Sequence, residues 1–92
     1  MKGYECLVVH KSGSVVNYVF EAEDDFEALK RATLDFQDCY EKDSVEKATT
    51  VEKVKTQIEL ENESDGDLLC YVLDTESVNW VYKSPLFKIR NV

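Results

Sequence analysis

Four side chains in this sequence carry the chemistry to hold a transition metal: Cys6, His10, Cys39 and Cys70. A Cys₃His set suits tetrahedral zinc. Cys6 and His10 fall on the same side of an extended strand, because side chains alternate with a period of two. Cys39 and Cys70 would have to approach from a helix and from another strand. None of the close Cys-x-x-Cys pairs typical of zinc sites is present. The three cysteines are far apart and odd in number, which reads as reduced, buried thiols and not as a secreted disulfide framework.

A second candidate chemistry is calcium binding. Glu61-Asn62-Glu63-Ser64-Asp65-Gly66-Asp67 has acids at alternate positions and glycine in sixth place, as in an EF-hand loop. The pattern breaks at the twelfth position, where Val72 stands in place of a bidentate glutamate, and the run leads into a strand and not a helix. A solvated acidic turn is the plainer reading. For nucleophilic catalysis, the single histidine lies in a strand beside Lys11, with no residue placed to orient its ring. The glycines, Gly3, Gly13 and Gly66, are too dispersed to make a phosphate loop. Lys83, Lys88 and Arg90 beside Trp80, Tyr82 and Phe87 form one basic-aromatic patch, but direct nucleic-acid binding needs clustered positive charge. The reading is therefore of a non-enzymatic protein without metal or cofactor.

Charge is the more informative property. The 92 residues carry a net charge of −8. Residues 21–46 hold ten acids and three bases, and residues 59–76 hold seven acids and no base. Two such segments can build a field that repels nucleic acid and draws a basic partner. The carboxylates expected to make that contact are Glu23, Asp25, Asp35, Asp38, Glu59, Glu61, Glu63, Asp65 and Asp67.

The elements that must position them begin with residues 22–40, AEDDFEALKRATLDFQDCY, a capped amphipathic helix. Asp24 is the N-cap, and Asp24-x-x-Glu27 reads as a variant capping box. Asp25 and Glu27 sit at the positive end of the helix dipole. Leu29, Ala32, Phe36, Cys39 and Tyr40 recur at helical spacing and form the core stripe, flanked by Phe26 and Ala28. Leu34 falls on the polar face and is expected to be exposed.

Before the helix, Tyr4–His10 and Val15–Glu21 read as strands joined at Gly13 into an antiparallel hairpin. After it, Glu41–Thr50 is expected to be a loop or short helical turn. Val54, Thr56, Ile58 and Leu60 alternate with Lys55, Gln57 and Glu59, which predicts a half-buried strand over 54–60. A helix over 45–58 is the alternative, weakened by Thr49, Thr50 and Thr56. Glu61–Asp67 is expected to be a turn and Leu68–Leu73 a strand buried on both faces. Val78–Tyr82 and Leu86–Arg90 are candidate strands separated at Ser84-Pro85. The whole is a single domain over residues 1–92. Its expected class is α+β, a mainly antiparallel sheet of four or five strands with one helix across one face, in the order β-β-α-β-β. With no apolar run long enough to span a membrane and no hydrophobic leader, the expected location is the cytoplasm.

In size, acidity and the opening hairpin followed by FEAEDDFEALKRA at Phe20–Ala32, the chain resembles the small acidic accessory proteins of bacteriophages, including the anti-CRISPR class. That resemblance covers about the first half of the chain. It implies an inhibitor that binds one nucleic-acid-handling machine in the host cytoplasm, in some members by imitating the charge of DNA. The alternative is a structural or oligomerisation module whose acids only confer solubility. One helix cannot cover both faces of a sheet, yet the first and fourth predicted strands are apolar on both sides. The expected cover is a second copy in a symmetric dimer, with a partner protein or the chain's own Trp80–Phe87 segment as rivals.

Overall fold

The computed structural model describes residues 1–9, 13–36, 42–63 and 68–84, and of residues 36, 61–63 and 68–70 the backbone alone. Strands β1 (Lys2–Val9) and β2 (Val15–Ala22) come first, followed by helices α1 (Asp25–Phe36), α2 (Lys42–Lys47) and α3 (Val51–Glu63). Strands β3 (Leu68–Asp74) and β4 (Asn79–Lys83) close the order. The sheet runs β2-β1-β3-β4 with every neighbouring pair antiparallel. The α+β class and the antiparallel sheet agree with the expectation. The single helix does not, because three helices lie between the two hairpins.

The largest correction is α3, which occupies the stretch read as a strand. Val54, Thr56, Ile58 and Leu60 fit a period of two, but the pairs Val51/Val54 and Val54/Ile58 also fit a helix. Burial separates the two patterns: Val54 and Ile58 are fully buried, while Thr56 and Leu60 are exposed. The threonines that weaken a helix interior act here at its edge and on its surface. Thr50 caps the start, its hydroxyl oxygen accepting from the Lys53 amide at 3.3 Å. Thr56 satisfies its own hydroxyl by donating to the Glu52 carbonyl at 3.0 Å. As a result Glu61 and Glu63 belong to the last turn of α3 and not to a turn region. Asp65 and Asp67 lie outside the described residues, as does the candidate strand Leu86–Arg90.

The N-terminus of α1 is built as its sequence implies. The Asp24 carboxylate accepts from the Glu27 amide at 2.8 Å, and the Asp24 carbonyl from the Ala28 amide at 2.9 Å. Leu29 and Ala32 are buried, as is Ala28. Leu34 is a second correction: it is half-buried against the core and not exposed. The reason is that α2 and α3 both pack on α1, widening the buried arc beyond the stripe that a sheet alone would cover. The Phe36 side chain, Cys39 and Tyr40 lie outside the described residues.

One core joins the layers. Tyr4, Cys6 and Val8 of β1, Ala22 of β2, Val72 of β3 and Tyr82 of β4 meet Leu29, Val45, Val54 and Ile58 of the helices. The register places these strand residues on a common face, with Cys6 opposite both Tyr18 and Val72, and Val72 opposite Tyr82. Two irregularities bend the sheet. β3 steps from Tyr71 opposite Leu7 to Leu69 opposite Val8, which leaves Cys70 as the extra residue. β4 steps from Tyr82 opposite Val72 to Trp80 opposite Leu73, which leaves Val81 as another.

Candidate functional site

A charged region lies at one end of the sheet, where β1 begins, β2 ends and the β3–β4 turn returns. Three local devices assemble it. Gly3 lets the turn approach: a Cβ there would lie 2.8 Å from the Thr75 hydroxyl oxygen. In its place the Thr75 amide and hydroxyl both donate to the Gly3 carbonyl, at 3.0 and 2.9 Å. Asp74 organises the turn itself, its carboxylate accepting from the amides of Glu76 at 3.0 Å and Ser77 at 3.3 Å. The turn closes with Val78 at φ 58°, a backbone region that β-branched residues rarely adopt.

Across the sheet end, the ammonium of Lys2 meets the buried Asp74 carboxylate at 3.3 Å. The Tyr4 hydroxyl, on a fully buried ring stacked 5.9 Å from Phe20, donates to Asp25 at 2.8 Å. Burial pushes the Asp74 pKa up, but the Ser77 and Glu76 amides, the Ser77 hydroxyl and Lys2 outweigh it and hold the carboxyl below its ordinary range. The Lys2 pKa is raised by its bond to Asp74 and by the charges of Asp74, Asp25 and Glu76. Tyr4 is pushed well above the ordinary phenol value by burial first, then by its bond to Asp25 and the charges of Asp25, Asp74 and Asp24. Neighbouring carboxylates contribute to the Lys2 and Tyr4 shifts, while hydrogen-bond donors set that of Asp74.

Of the nine carboxylates expected to bind a partner, those whose side chains are described are spread over more than one part of the surface. Glu23 and Asp25 are exposed at this end of the sheet, beside Asp24 and Glu27. Asp25 already has an internal partner in Tyr4. Asp35 is exposed near the far end of α1, ten residues and about 15 Å along the axis from Asp25. There it pairs with Arg31 at 3.7 Å. Glu59 is exposed on α3. Glu61 and Glu63 are placed on α3 by their backbone, and Asp38 lies outside the described residues with Asp65 and Asp67. The carboxylates that sequence reasoning left out of the set are Asp24, Glu27, Asp74 and Glu76. All four stand in the two acidic segments, so composition contained the signal. The pairing of β1 with β3 that brings them together did not show in it.

The metal and pocket candidates have a different outcome. Cys6 is a buried free thiol, while His10, Cys39 and the Cys70 side chain lie outside the described residues. Among the described residues, no group of three or more His, Cys, Asp or Glu side chains is arranged to hold a metal ion. A shallow notch of about 380 Å³ between α2 and α3 is lined by Ser44, Lys47, Ala48, Lys53, Thr56 and Gln57. No helix among the described residues is long and apolar enough to cross a membrane.

The second surface of note is the sheet face opposite the helices. Register places Val15, Asn17, Val19 and Glu21 of β2 there, with Glu5 and Leu7 of β1, Tyr71 and Leu73 of β3, and Trp80 and Lys83 of β4. Val15, Val19 and Trp80 are 61%, 74% and 48% exposed, and Leu7, Tyr71 and Leu73 are half-buried. Val9, at one end of this face, is buried. Trp80 packs edge-on to Tyr71 at 5.0 Å, the Tyr71 hydroxyl donates to Glu5 at 2.9 Å, and Lys83 lies 5.2 Å above the Trp80 ring. Comparison of the chain with protein-family models, with curated proteins and with solved structures returned no match.

Proposed function

We propose that this chain is a non-enzymatic acidic binding protein that engages a basic, nucleic-acid-handling partner through the carboxylates at the Lys2–Asp74 end of the sheet. The observation that carries this reading is the convergence of Glu23, Asp24, Asp25, Glu27, Asp74 and Glu76 on that end. Lys2 is the cation that Asp74, Asp25 and Glu76 share. Acids dispersed for solubility have no reason to be drawn together by a turn, a helix cap and a buried ion pair. Held on rigid elements, the exposed ones, Glu23, Asp24, Asp25 and Glu76, offer a fixed negative surface that a protein built to grip phosphates would meet without reorganising. A phage-type inhibitor that imitates the charge of a nucleic acid is the fuller form of this reading, and the resemblance to small acidic phage proteins supports it. An oligomerisation module is the other reading, and it draws on the open sheet face.

The test is displacement. Host proteins are loaded on a duplex-DNA resin, and this protein is added at rising salt. The wild type is expected to release a defined set of basic proteins, less effectively as salt rises, because exposed charges are screened over about 10 Å at 0.1 M. Glu23→Lys with Glu76→Lys reverses two exposed charges without touching the cap or the buried pair, and should abolish release while leaving the far-ultraviolet spectrum unchanged. Equal release by that variant, or release indifferent to salt, would refute the reading.

A further inference from the structure

We infer that the open sheet face is the interface of a symmetric dimer, with a second copy of this chain as its occupant. The first argument is charge. Two copies of a chain with net charge −8 repel one another. Self-association therefore favours a surface on which acids are few and nearly balanced. Among the described residues of the open face, the charged ones are Glu5, Glu21 and Lys83, a net charge of −1. Glu5 is tied to the Tyr71 hydroxyl, and Lys83 lies over Trp80. A basic partner would find little to grip here, whereas a second near-neutral apolar face would.

The second argument is shape. The two halves of the face are unlike: β2 presents the small aliphatic Val15 and Val19, and β3 with β4 presents the aromatic pair Tyr71 and Trp80. Val19 and Leu73 both stand opposite Glu5, and Trp80 stands opposite Leu73, so Val19 and Trp80 lie at one level on opposite edges of the same face. A two-fold axis parallel to the strands sets β2 of one copy over β4 of the other and lays Val19 on Trp80 twice. Such self-complementarity is what an isologous interface requires. The third argument is area. Four strands about 4.8 Å apart, five to eight residues long at about 3.3 Å each, make a face on the order of 400–500 Å². Covering it in both copies removes about 1,000 Å², the lower limit for a specific interface, so a dimer of micromolar affinity is expected.

The chain's one tryptophan, Trp80, lies on this face, so its emission reports the interface directly. Wild-type protein is diluted from about 100 to 0.1 µM, a range that brackets a micromolar dissociation constant. Light scattering gives the mass, and acrylamide quenching gives the Trp80 accessibility. The expected result is twice the 10.6 kDa chain mass at the upper end, with Trp80 becoming accessible and red-shifted on dilution. Raising salt should tighten the dimer severalfold by screening like charges, opposite to its effect on a basic partner, so this inference and the proposed function fail separately. Val19→Asp is expected to weaken the dimer at least tenfold. Val19→Thr, which keeps strand propensity, should weaken it less but in the same direction. A chain that stays monomeric at about 100 µM in both low and high salt overturns the inference. If Trp80 is shielded in that monomer, residues 85–92 are the cover. If it becomes shielded only when cell extract is added, a different protein is. A dimer indifferent to both Val19 substitutions also overturns it.

Discussion

Tyr4→Phe isolates one hydrogen bond at the acidic end of the sheet. The ring is fully buried and stacks on Phe20, and phenylalanine preserves both features. What is lost is the 2.8 Å bond to Asp25 in the first turn of α1. A hydrogen bond to a charged group contributes about 1.5–3 kcal/mol. Asp25 is exposed and water can replace the phenol, so the lower figure applies, about 1.5 kcal/mol. With a urea m-value of about 1 kcal/mol per molar for a domain of this size, the unfolding midpoint should fall by about 1.5 M with the slope unchanged. The pH dependence supplies the sharper check. The folded-state pKa of Tyr4 is raised above its ordinary value of 10.0. Its contribution is therefore complete below pH 10 and is lost as pH rises through the folded-state value, because the unfolded chain ionises first. The other tyrosines are common to both proteins and cancel. The stability gap between wild type and Tyr4→Phe should thus be constant from neutrality to about pH 9.5 and narrow above pH 10. Urea titrations at pH 7, 9.5 and 11 measure it. A neutral gap under about 0.3 kcal/mol, or one that stays constant into the alkaline range, would refute the role given to this bond.

Ile58→Ala and Leu60→Ala separate the two periodicities of the 54–60 stretch. The first should cost about 2–4 kcal/mol and the second under about 1 in chemical denaturation, whereas equal costs would return the segment to a strand. Val78→Gly should raise stability by about 1 kcal/mol, read as a higher thermal midpoint, because glycine relieves the positive φ of an exposed β-branched residue.

The legible parts of the fold were those set by residues close in sequence. Asp24 and Glu27 are three apart, and the Asp24 side of the cap forms as read, its carboxylate accepting from the Glu27 amide. The first hairpin depends on two alternating runs and Gly13, whose φ is 97°. The 54–60 stretch is ambiguous in sequence because Val54 and Ile58 satisfy both the helical and the strand period, and neither Thr56 nor Leu60 reveals which face it takes. Thr50 weakens a helix by propensity, although threonine at a helix start is a cap. Leu34 reads as exposed from α1 alone because the cover on that flank comes from α2 and α3. The acidic end was least legible. Lys2 and Asp74 are 72 residues apart, and nothing local says that β3 will lie beside β1 and not beside β2. The carboxylates were therefore named by segment, when the structure groups them by strand order.

The central position of β1 has a consequence for how the chain is made. β1 is synthesised before the strands it pairs with, yet it is paired on both edges in the finished sheet, with β2 on one side and β3 on the other. The hairpin with β2 and the capping of α1 can form as soon as those residues are available, since all their contacts are local. The opposite edge of β1 then waits for Leu68, 59 residues after β1 ends at Val9. At about 5–20 residues per second, that is roughly three to twelve seconds during which its amides and carbonyls have no strand beside them. An unpaired edge of this kind recruits other nascent strands. Crowded translation should therefore lose more of this protein to aggregation than its native stability implies. A circular permutant that begins at β3 would make the waiting edge disappear.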